Sequence, residues 1–195
     1  IYSCGDKLTV KDSVFKNNKA TERGGAIGIT KTTTVVENTS FKNNVAAGSG
    51  GAVYNASNGN LTLKGTNTNA VFEENKVNGT LAKDNYGGGA VCAGSGNVTI
   101  TGYTFKDNTA TNSNGGAVQL NSSSVVASMK ACTFTGNKTV DTDTTDETKY
   151  GGGAILSKSK IGIADSTFTG NTASDFGGAI CMAYGSLDID ACMFD

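Results

Sequence analysis

Phe105-Lys-Asp-Asn-Thr-Ala-Thr-Asn-Ser-Asn-Gly-Gly-Ala-Val118 holds both halves of a phrase that the chain writes six times. The first half, Phe-x-x-Asn, recurs as Phe15 to Asn18, Phe41 to Asn44, Phe72 to Asn75, Phe105 to Asn108, Phe134 to Asn137 and Phe168 to Asn171. The second half, Gly-Gly-Ala-Ile or Gly-Gly-Ala-Val, begins at Gly24, Gly50, Gly88, Gly115, Gly152 and Gly177. Counting a seventh at Phe194, successive phenylalanines stand 26, 31, 33, 29, 34 and 26 residues apart. A period near 30 that tolerates variable spacers marks stacked units, none able to bury its apolar face alone. The repeat covers residues 1–195, read as a single solenoid. Ile1-Tyr-Ser looks like the sequel of a Gly-Gly-Ala-Ile block, and Phe194-Asp195 opens another Phe-x-x-Asn. An excerpt of a longer repeat protein, cut within a repeat at both ends, is therefore expected.

Working outward from the phenylalanines, the residues seven and five places earlier are mostly aliphatic. They read Leu8/Val10, Thr34/Val36, Val98/Ile100, Ala127/Met129, Ile161/Ile163 and Leu187/Ile189. A four-residue insertion moves the corresponding pair to Leu61/Leu63 ahead of Phe72. The residue between each pair is mostly polar or small, which is the period-two alternation of a strand with one face inside. A second strand runs through each Gly-Gly-Ala-Ile/Val block and a third through the phenylalanine. Three short strands per unit, with no apolar run of helical period, predict an all-β, parallel β-helix of the pectate-lyase-like, single-stranded kind. About seven coils stacked at the strand spacing give an axis of roughly 30 Å. Parallel connections favour the right-handed form.

The seven phenylalanines, Phe15, Phe41, Phe72, Phe105, Phe134, Phe168 and Phe194, should stack along the axis. The asparagines Asn18, Asn44, Asn75, Asn108, Asn137 and Asn171 should form a ladder. A primary amide stacked on identical amides donates to one neighbour and accepts from the other, satisfying buried polar groups at a turn. By this reading Asn108→Ala is costly and Asn112→Ala, in the adjacent loop, is close to neutral. The paired glycines read as positions of positive φ or tight approach.

Composition removes several functions. With no histidine, every imidazole-dependent triad or metal site is excluded within these residues. Net charge is −1 and Arg23 is the sole arginine, far from the basic footprint that nucleic acid demands. No apolar run is long enough for a membrane-spanning helix. The one acidic cluster, Asp141, Asp143, Asp146 and Glu147, begins like a calcium loop but lacks its glycine and terminal glutamate. Catalytic residues, cofactor sites and metal sites are all expected to be absent, and with them enzymatic activity. Threonines are too irregular on the outward face for ice binding. Five cysteines read as small buried apolar residues, with Cys181 and Cys192 the one pairing that spacing leaves open. Seven Asn-x-Ser/Thr sequons, against roughly five expected by chance, matter only in a glycosylating host.

Two loops stand out. The gap from ladder Asn to the first glycine is usually 6 or 7 residues but grows to 13 after Asn75 and 15 after Asn137. Both insertions, Lys76 to Gly87 and Lys138 to Gly151, leave the same corner two coils apart and end in Tyr-Gly-Gly-Gly, at Tyr86 and Tyr150. Solenoid insertions gather on one face, often the binding face. Tyr86, Tyr150, Asp141, Asp143 and Asp146 are thus the candidate partner-contacting residues. The plainer reading of both loops is tolerated surface insertion.

Alternating Phe-x-x-Asn and Gly-Gly-Ala-Ile/Val tetrapeptides resemble the repeats of chlamydial polymorphic outer membrane proteins, autotransporter passengers that act as adhesins. The resemblance spans essentially the whole sequence, although the family's outer-membrane barrel is not part of it. It implies an extracellular or cell-surface location and adhesion to a host or neighbouring-cell protein or glycan. A stalk or filament segment, self-associating through solenoid ends, is the alternative. A polysaccharide-processing enzyme comes third.

Overall fold

The computed structural model describes residues 1–56, 59–79, 87–142 and 151–195. Every strand pairing among them is parallel, and no described residue is helical. Three sheets contain seven strands each, and each of their inner strands lies between its counterparts one coil before and one coil after. Seven levels make six full turns of a parallel β-helix. The first sheet runs from Tyr2–Ser3 to Ile180–Met182 and carries the Gly-Gly-Ala-Ile/Val blocks. The second runs from Lys7–Lys11 to Leu187–Asp190, and the third, bearing the phenylalanines, from Val14–Lys16 to Met193–Phe194.

Alternation sets the register. Leu61 and Leu63 pair with Thr34 and Val36 on one side and with Val98 and Ile100 on the other, so the insertion before Phe72 is absorbed outside the strands. It occupies Gly65 to Ala70, whose middle four residues are exposed. Inside, the phenylalanine rings form a continuous pile: centroids are 4.5–5.0 Å apart and neighbouring planes lie within 7°. The strand spacing dictates that repeat, and each ring slides only as far as offset stacking requires.

Three strands per coil is one too few. A fourth sheet of five very short strands follows the ladder asparagines, at Lys19–Ala20, Val45–Ala46, Lys76–Val77, Thr109–Thr111 and Lys138–Val140. Two or three residues are too few to show alternation, although the inward residue of four of the five (Ala46, Val77, Ala110, Thr139) is buried and Ala20 in the first is half-buried.

Single left-handed residues turn the corners. Between the third and fourth sheets they are Asn17, Asn43, Glu74, Asp107, Gly136 and Gly170, all at φ between 54° and 63°. These are the third letters of Phe-x-x-Asn, where residues that tolerate positive φ are needed. The two glycines of each pair do different jobs. The first adopts positive φ, as Gly115 does at 64°. The second allows close approach, for a Cβ on Gly116 would fall on the carbonyl oxygen of Gly153 one coil on.

Thr34 stands where every other coil has an aliphatic residue or alanine. It is fully buried between Leu8 and Leu61, and its hydroxyl oxygen has no hydrogen-bond partner. Desolvating an unpaired hydroxyl costs about 1–3 kcal/mol. Thr34→Val, of the same shape, should therefore raise stability by about 1 kcal/mol. Chemical denaturation of the two proteins measures it, and a loss of stability contradicts the reading.

Candidate functional site

The asparagine column is a fully occupied hydrogen-bond chain. Asn108 donates from Nδ2 to Asn137 Oδ1 at 2.9 Å and to the Phe72 carbonyl, also at 2.9 Å. Its own Oδ1 accepts from the backbone N–H of Asn75 at 2.9 Å and from Asn75 Nδ2 at 3.0 Å. Both protons and both lone pairs of the amide are thus used, the most a primary amide can do. Asn44, Asn75 and Asn137 repeat the pattern, with Nδ2 donating forward to Asn75, Asn108 and Asn171 and backward to the carbonyls of Phe15, Phe41 and Phe105. Asn18 begins the chain by donating to Asn44 at 2.8 Å, and Asn171 ends it on the Phe134 carbonyl at 2.9 Å. Every amide-to-amide bond points the same way along the axis.

One buried polar residue escapes sequence reading. Tyr103 sits two places before Phe105, where other coils carry Ser13, Thr39, Ala70, Cys132, Ser166 and Cys192. Its ring is fully buried, and its hydroxyl reaches past the coil of Ala70 to accept a hydrogen bond from the Thr39 N–H at 3.2 Å. Burial pushes its phenol up to about 12, against the smaller opposing pull of that N–H. Small Ala70 makes the room, so the signal was a tyrosine set against an alanine in one column.

The outward column of the first sheet is closed by its own neighbours. Tyr54, Cys92, Gln119, Leu156 and Cys181 stand in register there. The residue before each glycine pair passes over the member one coil on. Arg23 lies 5.0 Å above the Tyr54 ring and donates to its hydroxyl at 3.0 Å. A Cβ on Gly87 would strike the Gln119 side chain, and one on Gly151 would come within 3.0 Å of the Cys181 sulfur. The extra glycine of each Tyr-Gly-Gly-Gly is thereby explained. Beneath this cover, burial pushes the Cys92 thiol up to about 12. All five cysteines are free, and Cys181 and Cys192 face opposite sides of the wall: Cys181 aligns with outward Leu156, whereas Cys192 packs against the core.

Of the candidate contact residues, Tyr86, Tyr150, Asp143 and Asp146 lie outside the described residues. Asp141 is partly exposed, and its backbone N–H donates to Ser174 Oγ at 2.9 Å. The loops start later than spacing suggested. Val77 is buried in the fourth sheet, and Thr139 is buried with its hydroxyl accepting from the Ser174 N–H at 3.2 Å. Gly87 and Gly151 already bridge to Asn114 and Phe176. Among the described residues, no three His, Cys, Asp or Glu side chains gather around a potential metal position.

Outward charges pair between adjacent coils. Lys11 meets Glu37 at 2.8 Å, while Glu73 lies between Lys42 at 2.9 Å and Lys106 at 3.3 Å. The Lys42 hydrogen bond, seconded by Lys106, holds the Glu73 carboxyl below its ordinary range. Such exposed, solvent-screened pairs contribute little stability.

Fold and columns together define a parallel β-helix of Phe-x-x-Asn and Gly-Gly-Ala repeats. Four segments, residues 12–30, 38–56, 131–158 and 165–183, match the family model of the Chlamydia polymorphic membrane protein (Chlamydia_PMP) repeat. The coils between residues 57 and 130, with the Gly65 to Ala70 insertion and Tyr103, are unmatched but keep the same ladders. Proteins of this family are outer-membrane, surface proteins of Chlamydia, and a cell-surface location of this chain is consistent with that. No curated protein and no solved structure matches the chain significantly.

Asn112 corrects one expectation. It adopts φ 47°, and its Oδ1 accepts from both the N–H of Thr142 at 2.8 Å and its hydroxyl at 3.0 Å. Asn112→Ala should then cost about 1 kcal/mol, the sum of a lost local bond and alanine in the left-handed region. Asn108→Ala, which strands the donors of Asn75 and the acceptor of Asn137, should cost about 3 kcal/mol. Urea melts of the two variants decide it; equal losses contradict the special standing of the ladder.

Proposed function

We propose that this β-helix is a non-enzymatic adhesin module of a cell surface, presenting its loops and outer faces to a protein or glycan of a host or neighbouring cell. The observation that carries this reading is the polymorphic membrane protein repeat, matched at four segments of a chain built as a rigid stack. The reading needs no cofactor, for adhesion requires only shape and surface chemistry. The two longest loops leave the fourth sheet after Val77 and Val140, and the chain is back against its neighbouring coil at Gly87 and Gly151, ahead of the first-sheet strands. That common edge is where a partner would meet the two loops, whose sequences include Tyr86, Tyr150 and Asp141. Tyrosine adds contact area at low entropic cost. A structural rod or filament segment is the second reading, favoured by three sheets that run without interruption through all seven levels.

Beads coated with the purified chain should bind cultured epithelial cells above uncoated beads, and soluble chain should compete. Deleting residues 80–85 or 143–148 should leave the β-sheet circular dichroism and melting nearly unchanged, because loop closure depends only logarithmically on length. Each deletion should weaken binding several-fold. A coated bead that binds no better than a bare one overturns the adhesin reading in favour of the rod.

A further inference from the structure

The outer face of the second sheet carries a gap that the columns themselves create. One outward column there runs through Thr9, Val35, Thr62, Thr99 and Ser128, each with a side chain over the strand. At the next level stands Gly162, and beyond it Asp188. In the parallel column Ala164 lies between Lys130 and Asp190. Two successive outward positions of the Lys160–Ala164 strand therefore project nothing or a single methyl. The result is a trough of about 250 Å³, with Ser128 and Lys130 on one wall and Asp188 and Asp190 on the other. A Cβ built on Gly162 meets no atom within 4 Å. The floor is a peptide strand and the Ala164 methyl, and the walls stand two strand spacings, about 10 Å, apart.

The lining selects by charge. A cation drawn to the two carboxylates would face the Lys130 ammonium, and an anion drawn to Lys130 would face the carboxylates. Lys130 is in addition shared with Asp165 at 3.4 Å. A neutral group that both donates and accepts suits both walls: its hydroxyls donate to Asp188 and Asp190 and accept from Lys130 and Ser128. Its C–H face can lie on the glycine and alanine floor. The volume is below the ~300–1,000 Å³ of sites for drug-sized ligands and suits one sugar ring with some water. We infer that this trough is a monosaccharide subsite, taking a neutral hexose or N-acetylhexosamine unit of a surface glycan. The inference deepens the adhesion reading and rests on it for its biological purpose. Shallow, solvent-open walls imply millimolar affinity for one unit, which an array of copies on a surface would raise through avidity.

The test is NMR titration of the isotopically labelled chain with methyl glucoside, methyl galactoside, methyl mannoside and N-acetylglucosamine. At least one should give saturable shifts at the backbone amides of residues 128–130, 162–164 and 188–190. Gly162→Val fills the trough from an open position with a residue favoured in strands. It should abolish those shifts while the rest of the spectrum is unchanged. Asp188→Asn should weaken binding several-fold, and Thr99→Val, on the same face outside the trough, should leave it intact. No saturable shift with any sugar overturns the assignment, as does equal binding by Gly162→Val. Tighter binding of a lysine amide than of any sugar also overturns it and makes the trough a docking point for a basic peptide. Cell binding by the bead assay in a chain that ignores all four sugars would remove the subsite and leave the adhesin reading standing.

Discussion

A primary amide buried in an apolar stack has two protons and two lone pairs to satisfy, and in this molecule one of each goes to an identical amide about one strand spacing away, the other proton to a phenylalanine carbonyl and the other lone pair to a backbone N–H. That requirement governs the rest of the wall. It holds each coil to the same height, fixes the residue before the asparagine in a left-handed turn, and delivers the phenylalanine three places earlier onto the rings above and below. The second proton of each amide goes to the carbonyl of the preceding coil's phenylalanine, tying the ring pile and the ladder into one network. Because the bonds all point the same way, each polarises the next, and the network is worth more than its separate pairs.

With the interior committed to columns, diversity has to sit outside them. The first sheet's outward column is already occupied by the residues that pass over it from the coil before. On the remaining sheets some outward charges pair between levels, Lys11 with Glu37 and Glu73 with both Lys42 and Lys106. Among the described residues, open places include the corner where the two long insertions leave and a stretch of sheet where Gly162 and Ala164 interrupt the surface. A scaffold of this sort separates stability from recognition, and substitutions at the open places should be tolerated by the ladders beneath.

The interior was largely legible because repetition shows it: a letter that returns every coil in one place occupies one column. Leu61 and Leu63 could be aligned across an insertion for that reason. Legibility failed where a feature depends on backbone conformation or on a single departure from the pattern. The fourth sheet consists of runs too short to alternate. Ala131 and Ala191 take positive φ at the corner before the phenylalanines, and nothing about alanine announces that. Asn112 resembled loop filler but holds Thr142 through two hydrogen bonds. Val77 and Thr139 fell inside the two insertions as spacing drew them and are buried strand residues, since only the packing of one coil on the next reveals where the wall ends.

Side-chain amide hydrogen exchange tests the central claim most directly. In heavy water, the Nδ2 protons of Asn44, Asn75, Asn108 and Asn137 should exchange as slowly as the backbone amides of the buried strands. Those of Asn67, exposed in the insertion, should exchange at once. Ladder amides that exchange as quickly as Asn67 would mean that the chain of amides does not hold the coils together.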